Sequence, residues 1–304
     1  MIEIVKNIKA ANAVTHSGSI HADEVFATVF LEKYLKNLKV CRVKEEDAFK
    51  APKRAIVYDV GKGEFDHHQK GGNGTRLNGV PYATCGLIWK KFGREILKTY
   101  IEPQYINDVW RTIEKKLVSG IDAVDNVAVP KVDYPANPMS VSTVIASFNP
   151  TWDSEEDFDE AFLEAVDFAK IIFEKLLKNA YGKAKAKIII NEKINDAKDG
   201  IMILDKYLPW DNAVFTSQNP KAEEILFVVY PSNRGGYCWQ GILKAYGTSE
   251  LRKKVPTEWY GLNDDELRRV TGVETATFCH KDGFIGGAKT IEDAIVLAKK
   301  AIEA

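Results

Sequence analysis

"RAIVYDVGKGEFDHHQKGG", Arg54 to Gly72, holds the signals that decide the fold. Its first half is a run rich in β-branched residues that closes on Asp59 and Gly61, and it reads as a strand. Its second half sets two of the chain's five histidines side by side after Asp66. Neighbouring side chains point to opposite faces of a strand and diverge by about 100° on a helix. His67 and His68 can therefore serve one site only from a loop, and the flanking glycines supply that loop. Upstream, "NAVTHSGSIHADEVFATVFLEKYLKNL" gives a short strand ending at His16. A helix follows, with Val25, Val29, Phe30 and Tyr34 at helical spacing and Asp23 in the N-cap position. "KVCRV", Lys39 to Val43, is a further strand. Strand, helix, strand, strand in this order predicts an α/β domain with a mostly parallel sheet. Sites in such sheets form beyond the carboxyl ends of the strands. The histidine motifs, more than 40 positions apart, are expected to meet there.

"INDVWRTIEKKLVSGIDAVDN" reads as a helix running into an acidic cluster, and "VPKVDYPANP" after it as a loop. A long helix follows, opened by a Ser154–Asp157 capping box and carrying Phe158, Phe162, Ala165, Ala169, Phe173 and Leu176 on one face. "KAKIIINEKI", Lys185 to Ile194, reads as the first strand of a second domain. The expected division is a metal-binding catalytic domain over 1–183 and a smaller α/β substrate-binding domain over 184–304. "EILFVVYPS" and "YCWQGILKA" supply more of its strands.

The 304-residue chain is ordinary for a globular protein, with 45% hydrophobic and 28% charged residues. A net charge of −1 excludes a global basic field, so polyanion binding needs a local patch or bound cations. Four scattered cysteines without a CxxC pair read as free thiols in a reducing compartment. No signal peptide or apolar run of spanning length is present, so the expectation is a cytoplasmic protein without membrane contact.

His16, His21, Asp23, Asp59, Asp66, His67 and His68, with Asp122 and Asp125, all fall at expected strand ends or loops. Taken singly, the histidines read as idle polar loop residues, Asp23 as a helix cap and Asp59 as a turn aspartate. Together they form a mixed imidazole and carboxylate set that suits manganese, with magnesium the alternative, and no cysteine marks structural zinc. The supply exceeds one ion's needs and points to two divalent ions sharing a carboxylate, as in phosphoryl-transfer sites.

"HSGSIHADE", "YDVG", "FDHHQ" and "GIDAVDN" resemble the four motifs of the DHH phosphoesterase superfamily. "THSGSIHADEVFA", "FDHHQ", "FNPTW", "VPTEWYGLNDDEL" and "FCHKDGFIGGAKT" resemble, more narrowly, the melanocyte-proliferating-gene exonuclease family, over essentially the whole chain. The resemblance implies that His16, His21 and Asp59 hold one ion. Asp23, Asp59, His67 and one aspartate of "GIDAVDN" hold the other, with Asp59 bridging. Asp125 is preferred over Asp122 for its "DN" ending. Asp66 would orient a neighbouring group and His68 would face the phosphate. His21 departs from the superfamily, where an aspartate is usual.

The resemblance also implies substrate contacts in the second domain. Gly286 and Gly287 would allow close backbone approach, or form an ordinary turn before a helix capped by Thr290 and Asp293. His280 would be a further substrate contact. Read from the residues themselves, Arg234 beside two glycines suits a phosphate but equally fits a surface arginine. Tyr237 and Trp239 would stack bases or belong to the core. The implied activity is 3′→5′ exonuclease action on RNA or a short oligonucleotide, in a cleft between the domains. Hydrolysis of a small substrate (a dinucleotide, nucleoside bisphosphate or pyrophosphate) is the nearest rival. A metal-binding scaffold without turnover is the rival from another class. Homo-oligomeric assembly stays open.

Overall fold

The computed structural model describes residues 2–129, 139–245 and 247–304. The loop expected over Val129–Pro138 therefore lies, from Pro130 on, outside the described residues. The chain divides into two compact units, Met1–Tyr181 and Gly182–Ala304.

The first unit contains β1 (Ile2–Ile4), β2 (Ala13–His16), α1 (Ala22–Tyr34), β3 (Leu38–Val43), β4 (Ile56–Val57), α2 (Thr84–Lys98), α3 (Ile106–Ile113), α4 (Ser119–Asp125), α5 (Val141–Ala146) and the start of α6 (Phe158–Asp196). A π-helical turn, Glu114–Val118, joins α3 to α4. The sheet runs β1-β3-β2-β4 and every pair is parallel. Ala13, Val14 and Thr15 are fully buried, as expected of a parallel strand covered on both faces.

Helix α1 is buried on every side from Ala22 to Leu31, wider than the stripe read from its spacing. Tyr34 is its exposed end, at 42%. Its N-cap is His21, not Asp23: the Glu24 carboxylate accepts from the His21 N–H at 2.8 Å, and Asp23 lies within the first turn. The cap of α6 is likewise Asp157, whose carboxylate accepts from the N–H groups of Asp159 and Glu160, while Ser154 caps only a preceding turn. Phe30 packs against Trp89 (4.9 Å) and Phe173 (5.2 Å) in the core. Burying a ring of this size contributes about 1.5–3 kcal/mol.

The second unit contains the end of α6, then β5 (Ile201–Ile203), α7 (Asp211–Phe215), α8 (Lys221–Glu224), β6 (Phe227–Pro231), β7 (Tyr237–Gly241), α9 (Asp264–Thr271), β8 (Ala276–Cys279), β9 (Ile285–Ala288) and α10 (Ile291–Glu303). Its sheet runs β5-β6-β7-β9-β8, parallel at β5–β6 and antiparallel elsewhere. The strand expected at Lys185–Ile194 is helical. Ala186, Ile190 and Ile194 recur every fourth residue and bury against Met202, Val228 and Trp210, so the helical period overrides the β-branched run. Alternation along β6 sends Phe227 and Val229 to the opposite core, with Trp239, Leu267 and Leu297. Trp239 is thus core and does not stack on ligands. Thr290 caps α10 by accepting from the Asp293 N–H.

Gly286 and Gly287 are not in a ligand-facing turn. They lie in β9, hydrogen-bonded between β7 and β8. A Cβ at Gly286 would meet the Trp239 ring at 2.2 Å, and one at Gly287 would meet Phe278 at 2.8 Å. Packing inside the sheet explains both glycines. Gly286→Ala should therefore cost roughly 1–3 kcal/mol from overpacking, read as a lower urea midpoint at unchanged slope. An unchanged midpoint would show that the Trp239 contact is soft.

Candidate metal centre

Strand β2 lies next to β4, so their carboxyl ends bring His16 and Asp59 together. His16 Nε2 is 3.3 Å from Asp59 Oδ2. Asp59 has a φ of 54°, a left-handed conformation that aspartate tolerates better than most residues. That turn aims its carboxylate back over the strand ends. The loop after it returns His67 and His68 to the same place. His67 Nδ1 is 3.7 Å from both Asp23 Oδ2 and Asp59 Oδ1, and His68 Nδ1 is 3.3 Å from Asp59 Oδ1.

Further contacts hold the members in place. Asp23 accepts from the Thr84 and Cys85 N–H groups, at 2.8 and 2.7 Å. These are otherwise unpaired donors at the start of α2. Asp66 is fully buried and accepts from the N–H of Lys62 and of His68. Its Oδ1 also lies 3.0 Å from His68 Nδ1. This contact leaves the other nitrogen of the half-exposed His68 facing outward. His67 Nε2 is 2.8 Å from Asp125 Oδ2. Asp122 is turned away: Arg76 ion-pairs with it at 2.7 Å and the Gly86 N–H donates to it. The two aspartates lie three residues apart on α4 and meet these different partners.

Two further buried groups show what the cluster lacks. His67 Nδ1 and Glu24 Oε2 have no hydrogen-bond partner, and a buried unpaired polar atom costs about 1–3 kcal/mol. Burial and the charges of Asp59, Asp125 and Asp122 push the Asp23 carboxyl well up. Burial opposes ionisation of Asp59, but hydrogen bonds from His16 and His68 hold it below the usual carboxylate range. Burial works against a charged His16, but its contacts with Asp59 and Glu24 outweigh this and raise it to about 10. The Asp59 hydrogen bond raises His68 to about 9. Burial raises Asp122 to about 7 despite Arg76. The donor set of imidazoles and buried carboxylates fits divalent ions. His16, His21 and Glu24 offer atoms within 4.8 Å of one another, as do Asp23, His67 and Asp125.

Five contributors escaped the sequence reading. Glu24 faces His16 at 3.7 Å, and its place three residues after the His21 cap was the available signal. Thr84 Oγ1 lies 3.2 Å from Asp59. Asn149, within "FNPTW", clamps Ile20 by accepting from its N–H (2.7 Å) and donating to its carbonyl (2.9 Å). Arg42 donates to the Gly18 carbonyl at 2.7 Å. Arg76 pairs with both Glu114 and Asp122. These last contacts join residues far apart in sequence, and no local pattern announces them.

The expected contacts of the second unit do not form one group. Arg234 is exposed in the β6–β7 turn, and His280 lies in the β8–β9 turn. Since Tyr237 pairs with Ala288 and Gln240 with Ile285, these turns stand at opposite ends of the sheet.

The profile of the MYG1_exonuc family, described as uncharacterised protein family UPF0160, matches residues 12–302. The chain belongs to this family. It is 31% identical to MYG1 protein C694.04c of Schizosaccharomyces pombe, over 95% of this chain and 96% of that one. It is 26% identical to the MYG1 exonuclease of Homo sapiens, over 95% and 85%. Among solved structures, the pGpG-specific phosphodiesterase PggH of Vibrio cholerae covers 96% of the chain at 14% identity, with a TM-score of 0.34, too slight a likeness to bear on fold or activity. No helix among the described residues is long and apolar enough to cross a membrane.

Divalent manganese at a hundredfold excess over its Kd should stabilise the protein by about 2.7 kcal/mol. Asp59→Asn keeps the shape and the left-handed turn but removes the carboxylate charge. It should abolish most of this gain, read as a lost rise in Tm. An equal rise in the variant would remove Asp59 from the centre.

Proposed function

We propose that this protein is a divalent-metal-dependent phosphodiesterase acting as a 3′→5′ exonuclease on RNA. One observation carries the reading: the buried, unpartnered Nδ1 of His67 faces the carboxylates of Asp23 and Asp59 at the carboxyl end of a parallel sheet. In this reading His16, His21 and Asp59 hold one ion, and Asp23, Asp59, His67 and Asp125 the other. Glu24 adds a carboxylate beside the first, and Asp122 stays with Arg76. The names of mammalian family members, MYG1 exonuclease, support the reaction class. RNA, the polarity and manganese follow the motif resemblance.

Bound divalent cations supply charge neutralisation at the phosphate and activation of the attacking water. The protein's own groups do the rest. Asp66 fixes the His68 ring so that its exposed nitrogen donates to a phosphate oxygen or to the leaving oxygen. Asn149 and Arg42 hold the loop between His16 and His21 at Ile20 and Gly18. Four buried free cysteines support a reducing, cytoplasmic setting. Residues 184–304 would bind the substrate, with Arg234 or His280 as a donor but not both in one subsite.

A panel with manganese present tests the reading: RNA with free or blocked 3′ ends, DNA, dinucleotides and pyrophosphate. Stepwise loss from free 3′ ends is expected, with blocked ends resistant. Preference for dinucleotides or pyrophosphate would replace the exonuclease reading, and no turnover of any of them would remove the enzyme. His68→Ala should keep its metal and lose roughly 10²–10⁴-fold in kcat, whereas His67→Ala should lose an ion by elemental analysis. Equal metal loss in both would contradict this division of roles.

A further inference from the structure

The second unit encloses a cavity of about 490 Å³ that none of the roles above uses. Four segments converge on it. Helix α7 brings Phe215 and Asp211, β7 brings Gln240, the stretch after β7 brings Ser249 and Leu251, and the β8–β9 turn brings Asp282 and Phe284. A volume of this size lies within the usual span of small-molecule sites, about 300–1,000 Å³. The walls are mainly aromatic and aliphatic, and the buried Trp210 is one of them. Flat rings offer faces on which another flat ring can stack.

The polar groups choose the occupant. No lysine or arginine is among the described lining residues, whereas two carboxylates, Asp211 and Asp282, are. A phosphate is therefore repelled, and a ligand that donates hydrogen bonds is favoured. Gln240 is oriented: its Oε1 accepts from the Tyr230 hydroxyl at 2.6 Å. With that oxygen engaged, its NH2 is the group left to donate to a ligand acceptor. The β8–β9 turn that carries Asp282 and Phe284 is tied by His280, with its ring 4.5 Å from that of Phe284 and its Nδ1 accepting from the Asp282 N–H.

We propose that this cavity binds a nucleobase bearing an exocyclic amino group, which donates to a carboxylate of Asp211 or Asp282 while a ring or carbonyl acceptor meets Gln240. Guanine, adenine and cytosine meet this requirement, and uracil, without an amino group, does not. The proposal gives the second unit a base-reading role in place of the phosphate-binding one expected from its glycines. It deepens the nuclease reading by assigning a preference at one nucleotide of the substrate.

Uncharged nucleosides test it, because they bind without turnover and without the metal centre. Guanosine, adenosine, cytidine and uridine are titrated into the full-length protein in EDTA, by calorimetry and ligand-observed NMR. Saturable binding of at least one amino-bearing nucleoside is expected, with uridine at least roughly tenfold weaker, the effect of one lost hydrogen bond to a charged group. Asp282→Asn and Asp211→Asn change exposed side chains, so folding is retained. At least one should weaken that nucleoside by roughly tenfold and leave uridine unaffected. No saturable binding below about 10 mM, equal affinity for uridine, or indifference to both substitutions would overturn the proposal. Because the assay has no turnover, failure of the exonuclease reading would appear separately, in the hydrolysis panel.

Discussion

Repulsion among buried carboxylates at the end of one parallel sheet is the constraint on which the first unit is built. Asp23, Glu24, Asp59, Asp66 and Asp122 are each no more than 3% exposed, and Asp125 joins them through His67. Burying like charges together costs far more than one domain's net stability unless cations or donors compensate. The protein supplies donors for part of this: the first N–H groups of α2 for Asp23, the loop N–H groups for Asp66, and Arg76 for Asp122. What remains uncompensated is the repulsion of Asp23 by Asp59, Asp125 and Asp122, together with the unpartnered His67 Nδ1 and Glu24 Oε2, which is where divalent ions fit.

This division explains the architecture around the site. Parallel strands put His16 and Asp59 side by side, with Asp59 in a left-handed conformation at the strand end. Helix α2 points its positive end at Asp23. Gly86 is required because a Cβ there would meet Asp122 Oδ2 at 1.8 Å, so the Asp122–Arg76 pair can pack against the helix. The loops that carry the histidines are pinned by buried or half-buried side chains from distant segments, which gives a loop-borne site the rigidity that catalysis needs.

The strand ends and the histidine loop were legible because each is local: β-branched runs closed by turn residues, and an HH pair that converges only in a loop. The preference for Asp125 over Asp122 rested on a motif ending, and Arg76, 46 positions before Asp122, gives a physical reason for it. Two kinds of feature stayed hidden. Helix α6 runs through a β-branched stretch because every fourth residue meets a core that the local sequence does not reveal. Gly286 and Gly287 read as a ligand-approaching loop or an ordinary turn because their partners, Trp239 and Phe278, come from neighbouring strands. The same sheet register separates Arg234 from His280, which no one-dimensional pattern could show.

The most direct test of the central claim is anomalous diffraction at the manganese edge from crystals grown with the ion. The account predicts strong peaks within bonding distance of His67 Nδ1 and the Asp59 carboxylate, and none between Asp122 and Arg76. An empty site beside His67, or a peak that displaces Arg76 from Asp122, would contradict it.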